Sequence, residues 1–451
     1  MRRLICFVSL FLAPTAWCQT ISGLTGTMQD STQVTISGSS FGTSGPTVFF
    51  FENFESGENN TALSDTAQVG TWYFTHNTYI PEYMADPTHS GNIAGELVEG
   101  FSQRCKLRFD PTTEFYLSYK VMVPDGYTWP EAYAEETFYS LGSSWKFSWL
   151  YDAGDGDSFA NNDDYCIPTY GSTDGFSISG NDHSHDQATE FGRVSTGDIW
   201  WSWDEWNRIS CYMKAGEDPD TDTGIIWAQA MNSSYGQKDT LRTDVPVFDG
   251  YDCDNGDGCG QDDETFQWTM LNFPGWTKYE DSMSGPYDTD ARGYYDDIYL
   301  ALGDNARARV EVGDSLSYDA CTKLDIFTPT AWSATSITAT ARITQFGTGD
   351  TAYLFVVDAD GNVSDGYEVT VSGESAEFSL SSATVTDGVL SLSWTDDSAS
   401  EWYVQAMIND TRSYSILATA NSVSFPVTTG TVDVKITSSD GPLVQGNTSS
   451  E

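Results

Sequence analysis

Short runs of alternating apolar and polar residues, closed by Gly, Asp or Asn, recur along almost the whole chain. Stretches with apolar residues at three- and four-residue spacing are nearly absent. Residues 33–37 (QVTIS), 116–121 (YLSYKV), 145–151 (WKFSWLY) and 352–357 (AYLFVV) are examples. A period of two sends successive side chains to opposite faces of a strand. Many short strands separated by turn residues specify a sandwich or a barrel. The expectation is an all-β protein.

Residues 1–18 have the order of a secretory signal peptide: Arg2 and Arg3, an apolar run over 4–13, then the small Ala16. Cleavage is expected after Ala16 or after Cys18. The apolar run is too short to span a bilayer, and no later stretch resembles a membrane helix. A secreted or surface-displayed protein is therefore expected. The 451 residues are too many for one core, so several domains are expected.

The chain holds 20 basic and 66 acidic residues, a net charge of −46. That balance argues against nucleic acid as a partner, because affinity for nucleic acid comes largely from Lys and Arg on phosphates. An aromatic content of 14% argues against disorder. The charge reads as a solvated surface suited to salty or calcium-bearing water. Beyond the leader stand Cys105, Cys166, Cys211, Cys253, Cys259 and Cys321. An even count in an exported chain points to disulfides. Cys253 and Cys259 flank a tight Asp/Gly loop and form the natural local pair, while the other four allow three pairings.

Two stretches resemble the IPT/TIG immunoglobulin-like family: VTISGSSFG within 19–47, and SITATARI followed by TAYLFVVDADGNVSDGYEVTV within 320–373. The DADGN segment reads as a hairpin turn, since Asp-Gly supplies the positive φ such turns need. Between them, FFFENFESG near the start and GYYDDIYLALGDNARARVEVGD near the end resemble the terminal strands of concanavalin-like jelly rolls, the fold of lectins, glucanases and many polysaccharide lyases. The resemblance implies a central jelly-roll sandwich over 48–315 with small immunoglobulin-like β modules on its flanks. Residues 374–445, with LSLSWTDDSASEWYVQAMIND, resemble a fibronectin-III-type module.

Within the jelly roll, Arg104, Lys106 and Arg108 alternate with Cys105, Leu107 and Phe109, so one face of a strand collects three positive charges. Neighbours about 7 Å apart repel by about 2.4 kcal/mol at an effective dielectric near 20, so something negative should lie opposite. Either the protein's own carboxylates or a uronate chain would serve, and alginate-lyase jelly rolls carry a similar basic strand. Lys146 and the tryptophans Trp201 and Trp203 are candidate sugar contacts, flat rings being platforms for sugar faces. His183 and His185, in GNDHSHDQATE, are candidate bases for a lyase, with Arg104 and Arg108 holding the uronate carboxylate. The Gln-Ile-His phrase of the alginate lyases and the E-x-D-x-x-E phrase of the glucanases are both missing. Adjacent pairs such as Asp296 and Asp297 should face opposite ways, which disfavours hydrolysis by paired carboxylates.

Calcium is the expected cofactor, in a structural role. The loop at 251–264 offers Asp252, Asp254 and Asp257 as hard oxygen ligands. A second site joining Glu52 or Glu55 to Asp297 would copy jelly-roll relatives. Three functions remain open at this point: a polysaccharide-binding protein, which leads; an endo-acting lyase on an anionic, uronate-bearing glycan; and a structural adhesin or filament component. Whether the chain is an enzyme is undecided by sequence, but a lyase fits better than a glycosidase.

Overall fold

The computed structural model describes residues 19–74, 81–85, 92–97, 105–122, 145–152, 163–169, 177–182, 194–195, 202, 204–215, 224–245, 267–273, 276–277 and 292–372, and, further on, the strands between 379 and 449. The described residues are antiparallel β throughout, with one short 3-10 turn at Tyr318–Ala320 and no α-helix. The chain forms two compact units, one of residues 1–346 with 351–370 and one of residues 347–350 with 371–451.

The first unit contains the jelly-roll sandwich. Its front sheet runs, in spatial order, Val194–Ser195, Ser177–Asp182, Asp163–Thr169, Trp145–Asp152, Trp268–Phe273, Cys105–Thr112 and Tyr73–Phe74, with Trp276–Thr277 beside Trp145–Asp152. Its back sheet runs Gly236–Val245, Gly224–Asn232, Asn207–Lys214, Glu114–Met122, Arg292–Leu302, Asn92–Leu97, Glu82–Ala85 and Thr61–Ala62. Thr47–Glu52 pairs with Arg292–Leu302 on the edge that Asn92–Leu97 leaves open. The first and last strands of the jelly roll are thus side by side. The core between the sheets takes Cys105, Leu107, Phe109, Trp268 and Leu271 from the front and Phe115, Leu117, Ile209, Cys211, Met213 and Ala228 from the back.

A third layer covers the back sheet. Thr20–Thr25 and Gln33–Ser39 join Ser336–Thr340, Leu324–Ser333, Arg309–Gly313, Thr351–Val357 and Tyr367–Thr370. Val34 pairs with Ala339, so the segments at 19–47 and 320–373 meet in one module rather than two. The strand Arg309–Gly313, at the tail of the stretch that resembled a jelly-roll terminus, belongs to this module as well. Leu324–Ser333 switches partners midway: Leu324–Phe327 pairs with Arg309–Gly313, and the rest pairs with Ser336–Thr340. Asp358–Asn362 closes as the expected hairpin turn, with Gly361 at φ +85°.

All nine residues of Glu114–Met122 are buried, which a half-buried sandwich strand cannot achieve. Its outward residues Tyr116, Ser118 and Lys120 lie under the third layer, where Tyr116, Tyr212, Trp227 and Tyr299 pack with Ala306 and Ile326. Cys211 and Cys321 are buried and form no disulfide, so none of the three full pairings of Cys105, Cys166, Cys211 and Cys321 is present. Burial drives the Cys321 thiol up to about 11. Apolar packing, not cross-linking, holds these positions.

The second unit carries two antiparallel sheets, one of Ser379–Thr386, Val389–Thr395 and Ser422–Pro426, the other of Thr411–Ala418, Trp402–Ile408, Thr431–Ser438 and Leu443–Ser449. Leu390, Leu392, Val404 and Ala418 are buried.

Candidate functional site

The third layer covers the outer face of the back sheet, and the basic strand singled out in the sequence lies in the front sheet. Leu107 and Cys105 point into the core, so Lys106 and Arg108 turn outward, as alternation requires. The edge strand adds Tyr73, which pairs with Lys106 while Phe74 pairs with Cys105. Cross-strand pairs share a face, so Tyr73 stands with Lys106 and Arg108. Tyr73 is 48% exposed, and the Arg108 guanidinium carbon lies 4.2 Å from the centre of its ring. That geometry is a cation–π contact that orients the guanidinium.

Lys106 is only 8% exposed. Burial first, and Arg108 second, pull its pKa below the ordinary lysine value. A negative charge beside the two cations would offset the repulsion between them. Along the sheet, Lys106 pairs with Asn272, Asn272 with Trp149, Trp149 with Cys166 and Cys166 with Ser179. This backbone row crosses the front sheet at right angles to its strands. Asp110, two residues on from Arg108, is exposed.

Of the other expected contacts, Arg104, His183, His185, Trp201 and Trp203 lie outside the described residues, as does the loop bearing Asp252, Cys253, Asp254, Asp257 and Cys259. The Lys146 backbone is paired with Thr169 and Trp276 in the front sheet, while its side chain is outside the described set. Tyr73 was not anticipated. Its alternation with Trp72 could have marked it as outward-facing, but its pairing with a strand over thirty residues away leaves no local trace.

At the second acidic cluster, the protein's own cations stand beside Asp297. A bulge between Asp296 and Tyr299, with Asp297 at φ +49°, breaks the alternation of the strand. Both carboxylates therefore converge, contrary to the expectation that they face apart. Arg342, from the third layer, donates from Nε to Asp297 and lies 3.5 Å from Asp296 and from Glu55 through NH2. Lys120 Nζ lies 2.6 Å from Asp297 and 2.6 Å from Asp325. Both Asp297 oxygens are thus held by the protein's own cations. Glu52 accepts the Phe54 N–H at 2.7 Å. Among the described residues no group of three His, Cys, Asp or Glu side chains is arranged to hold a metal ion.

Burial pushes the Glu52 carboxyl up to about 7, against the opposing pull of its hydrogen bonds from Phe54, Gln68 and Asn53. Since the folded pKa is raised, the folded state holds the proton more tightly than the unfolded chain. Its contribution is complete below the ordinary value of 4.5 and is lost as pH rises to about 7. The loss is on the order of 3 kcal/mol. Glu52→Gln should flatten the pH dependence of Tm across that window and raise Tm at pH 8. Calorimetry on both proteins checks this, and equal slopes would refute it.

No family model matches the chain. No curated protein matches it either. Among solved structures, the marine PL-14 alginate lyase from Aplysia kurodai aligns with a TM-score of 0.33 and 10% identity, covering 49% of this chain and 87% of that one. The endo-beta-1,4-glucuronan lyase from the fungus Trichoderma reesei aligns with a TM-score of 0.33 and 12% identity, covering 57% of this chain and 96% of that one. Both are lyases.

Proposed function

We propose that this chain is an exported, endo-acting lyase of an anionic, uronate-bearing polysaccharide, with the outer face of the front sheet as its substrate surface. The observation that carries the reading is the convergence of Tyr73, Lys106 and Arg108 on that face. β-Elimination removes the proton beside the uronate carboxylate, breaks the bond to the neighbouring glycosidic oxygen and leaves a ring double bond, while the departing oxygen takes up a proton and becomes the hydroxyl of the new chain end. It needs a cation on the carboxylate, to stabilise the charge that builds up as the proton leaves, and a group to take that proton. Arg108 and Lys106 supply the cations here. A phenol held beside a guanidinium is suited to proton transfer, which gives Tyr73 that role among the described residues; His183 and His185 are the alternatives from sequence. The printed activities of the two aligned lyases are of the same class, and they name alginate and glucuronan as first substrates to try.

Incubation with alginate, glucuronan and other polyuronates should produce ultraviolet absorbance from the unsaturated product, with chain length falling early, as endo cleavage demands. Binding of the same polymers without absorbance would instead establish a glycan-binding protein. Neither binding nor cleavage on any of them would discard the substrate surface altogether.

A further inference from the structure

We propose that Gln19 becomes the first residue of the exported chain and closes to pyroglutamate, a neutral terminal ring seated against Asp358. The modification depends on export, the first element of the proposed function, and not on the substrate. Of the two cleavage points in the leader, the one after Cys18 places small residues, Cys18 and Ala16, at the last and third-last positions. The one after Ala16 would place Pro14 third from last. The cut after Cys18 falls just ahead of Thr20–Thr25, the strand at one end of the third layer's sheet, and Gln19 is only 2% exposed. Its side-chain Nε2 donates to Asp358 Oδ2, in a turn 339 positions further along the chain. That turn is fixed in its own right: Asp358 accepts the Asn362 N–H at 2.8 Å, and Arg307 donates to the Asp360 carbonyl at 2.8 Å.

Cleavage turns the Gln19 backbone nitrogen into an α-amine, whose ordinary pKa of about 7.7–8.0 leaves a share of it uncharged near neutral pH. As an ammonium on a residue this buried, it would lose most of its water. Asp358 is the acid at hand, but its oxygens already accept from Gln19 Nε2 and from the Asn362 N–H and side-chain amide. The Gln19 amide is itself half satisfied, since its buried Oε1 accepts no hydrogen bond among the described residues. Ring closure removes the charge altogether. The neutral amine attacks Cδ and the N–Cδ bond forms; a proton passes from the attacking nitrogen to Nε2, the Cδ–Nε2 bond breaks and ammonia leaves. Oε1 stays as the ring carbonyl. The ring keeps one N–H, a donor of the kind that Asp358 now accepts from Nε2. Both reacting groups belong to one residue, so the step is intramolecular and consumes no co-reactant.

The test is intact-mass and N-terminal peptide analysis of the full chain purified from a secreting host. The expected product is residues 19–451 less one ammonia, with a terminus that aminopeptidase does not attack. Gln19→Glu should leave an open, aminopeptidase-sensitive terminus, because a carboxylate does not take up attack by an amine. Pyroglutamyl aminopeptidase should release the ring readily from the digested N-terminal peptide and slowly from the native protein. Asp358→Ala, with far-UV circular dichroism confirming its fold, should speed release from the native protein about 10–10²-fold, the range of one lost charge-assisted hydrogen bond. A chain that begins at Gln19 with a free amine, or at Trp17, would overturn the modification and leave export intact. A chain that keeps residues 1–18 would withdraw export as well. Equal release from native protein and peptide, or no change in Asp358→Ala, would overturn the seat at Asp358. Cleavage of polyuronates is read separately and is untouched by any of these results.

Discussion

Lys120→Met is expected to destabilise the first unit by about 3–5 kcal/mol, the cost of breaking a buried ion pair by removing one partner. Lys120 sits in the middle of the back sheet, 3% exposed, and holds Asp297 and Asp325 at 2.6 Å each while donating to Thr344 at 2.8 Å. Burial alone would lower its pKa, but Asp297 and Asp325 outweigh burial and hold the ammonium charged. For Asp325 the balance has the same form. Burial would raise its carboxyl, yet Lys120, Gln345 and the Thr344 N–H bring it down to about 2. Without Lys120, Asp325 keeps its N–H donors but is left a buried charge with no counter-ion. The loss should show in urea unfolding, and adding Asp325→Asn to Lys120→Met should recover part of it by removing the unpaired charge. A cost below about 1 kcal/mol, the range of exposed pairs, would contradict the burial assigned to this cluster. Because a depressed carboxyl stabilises only while ionised, this contribution is present above the ordinary value of 3.8 and lost as pH falls toward 2.

Arg108→Ala combined with Lys106→Met should lower kcat/KM on the preferred polyuronate by about 10²–10⁴-fold. Each charge-assisted hydrogen bond to a carboxylate contributes about 1.5–3 kcal/mol, and about 1.4 kcal/mol is tenfold. Arg108 is exposed, so its removal should lower Tm by no more than the loss of a surface contact. Lys106→Met keeps the length of a nearly buried stem and removes only its charge. Arg108→Lys should recover only part of the activity, because an ammonium cannot match a carboxylate with two parallel hydrogen bonds. Tyr73→Phe separates roles: the ring stays beneath Arg108 and the hydroxyl is lost, so binding should persist while kcat falls. A double variant with kcat/KM within twofold of the parent would move the substrate elsewhere.

The all-β class was readable because its cause is local. A period of two, with turn residues between runs, writes each strand into its own few residues, as in Gln33–Ser39 and Thr351–Val357. The outward turn of Lys106 and Arg108 was readable for the same reason, since one apolar partner in the core sets the phase of the whole strand. The paired-carboxylate expectation at Asp296 and Asp297 failed where that rule failed, at a bulge that alternation alone does not announce. What the tertiary structure alone decided is where distant segments meet. Only the fold brings Arg342 to Asp297, Glu311 to Arg208 and Tyr73 to Arg108. Only the fold shows that a third layer covers the back sheet of the jelly roll. Side-chain phase along a strand is a property of neighbours in sequence. Ion pairing and the covering of a sheet depend on contacts between residues tens to hundreds of positions apart, and no local pattern carries them.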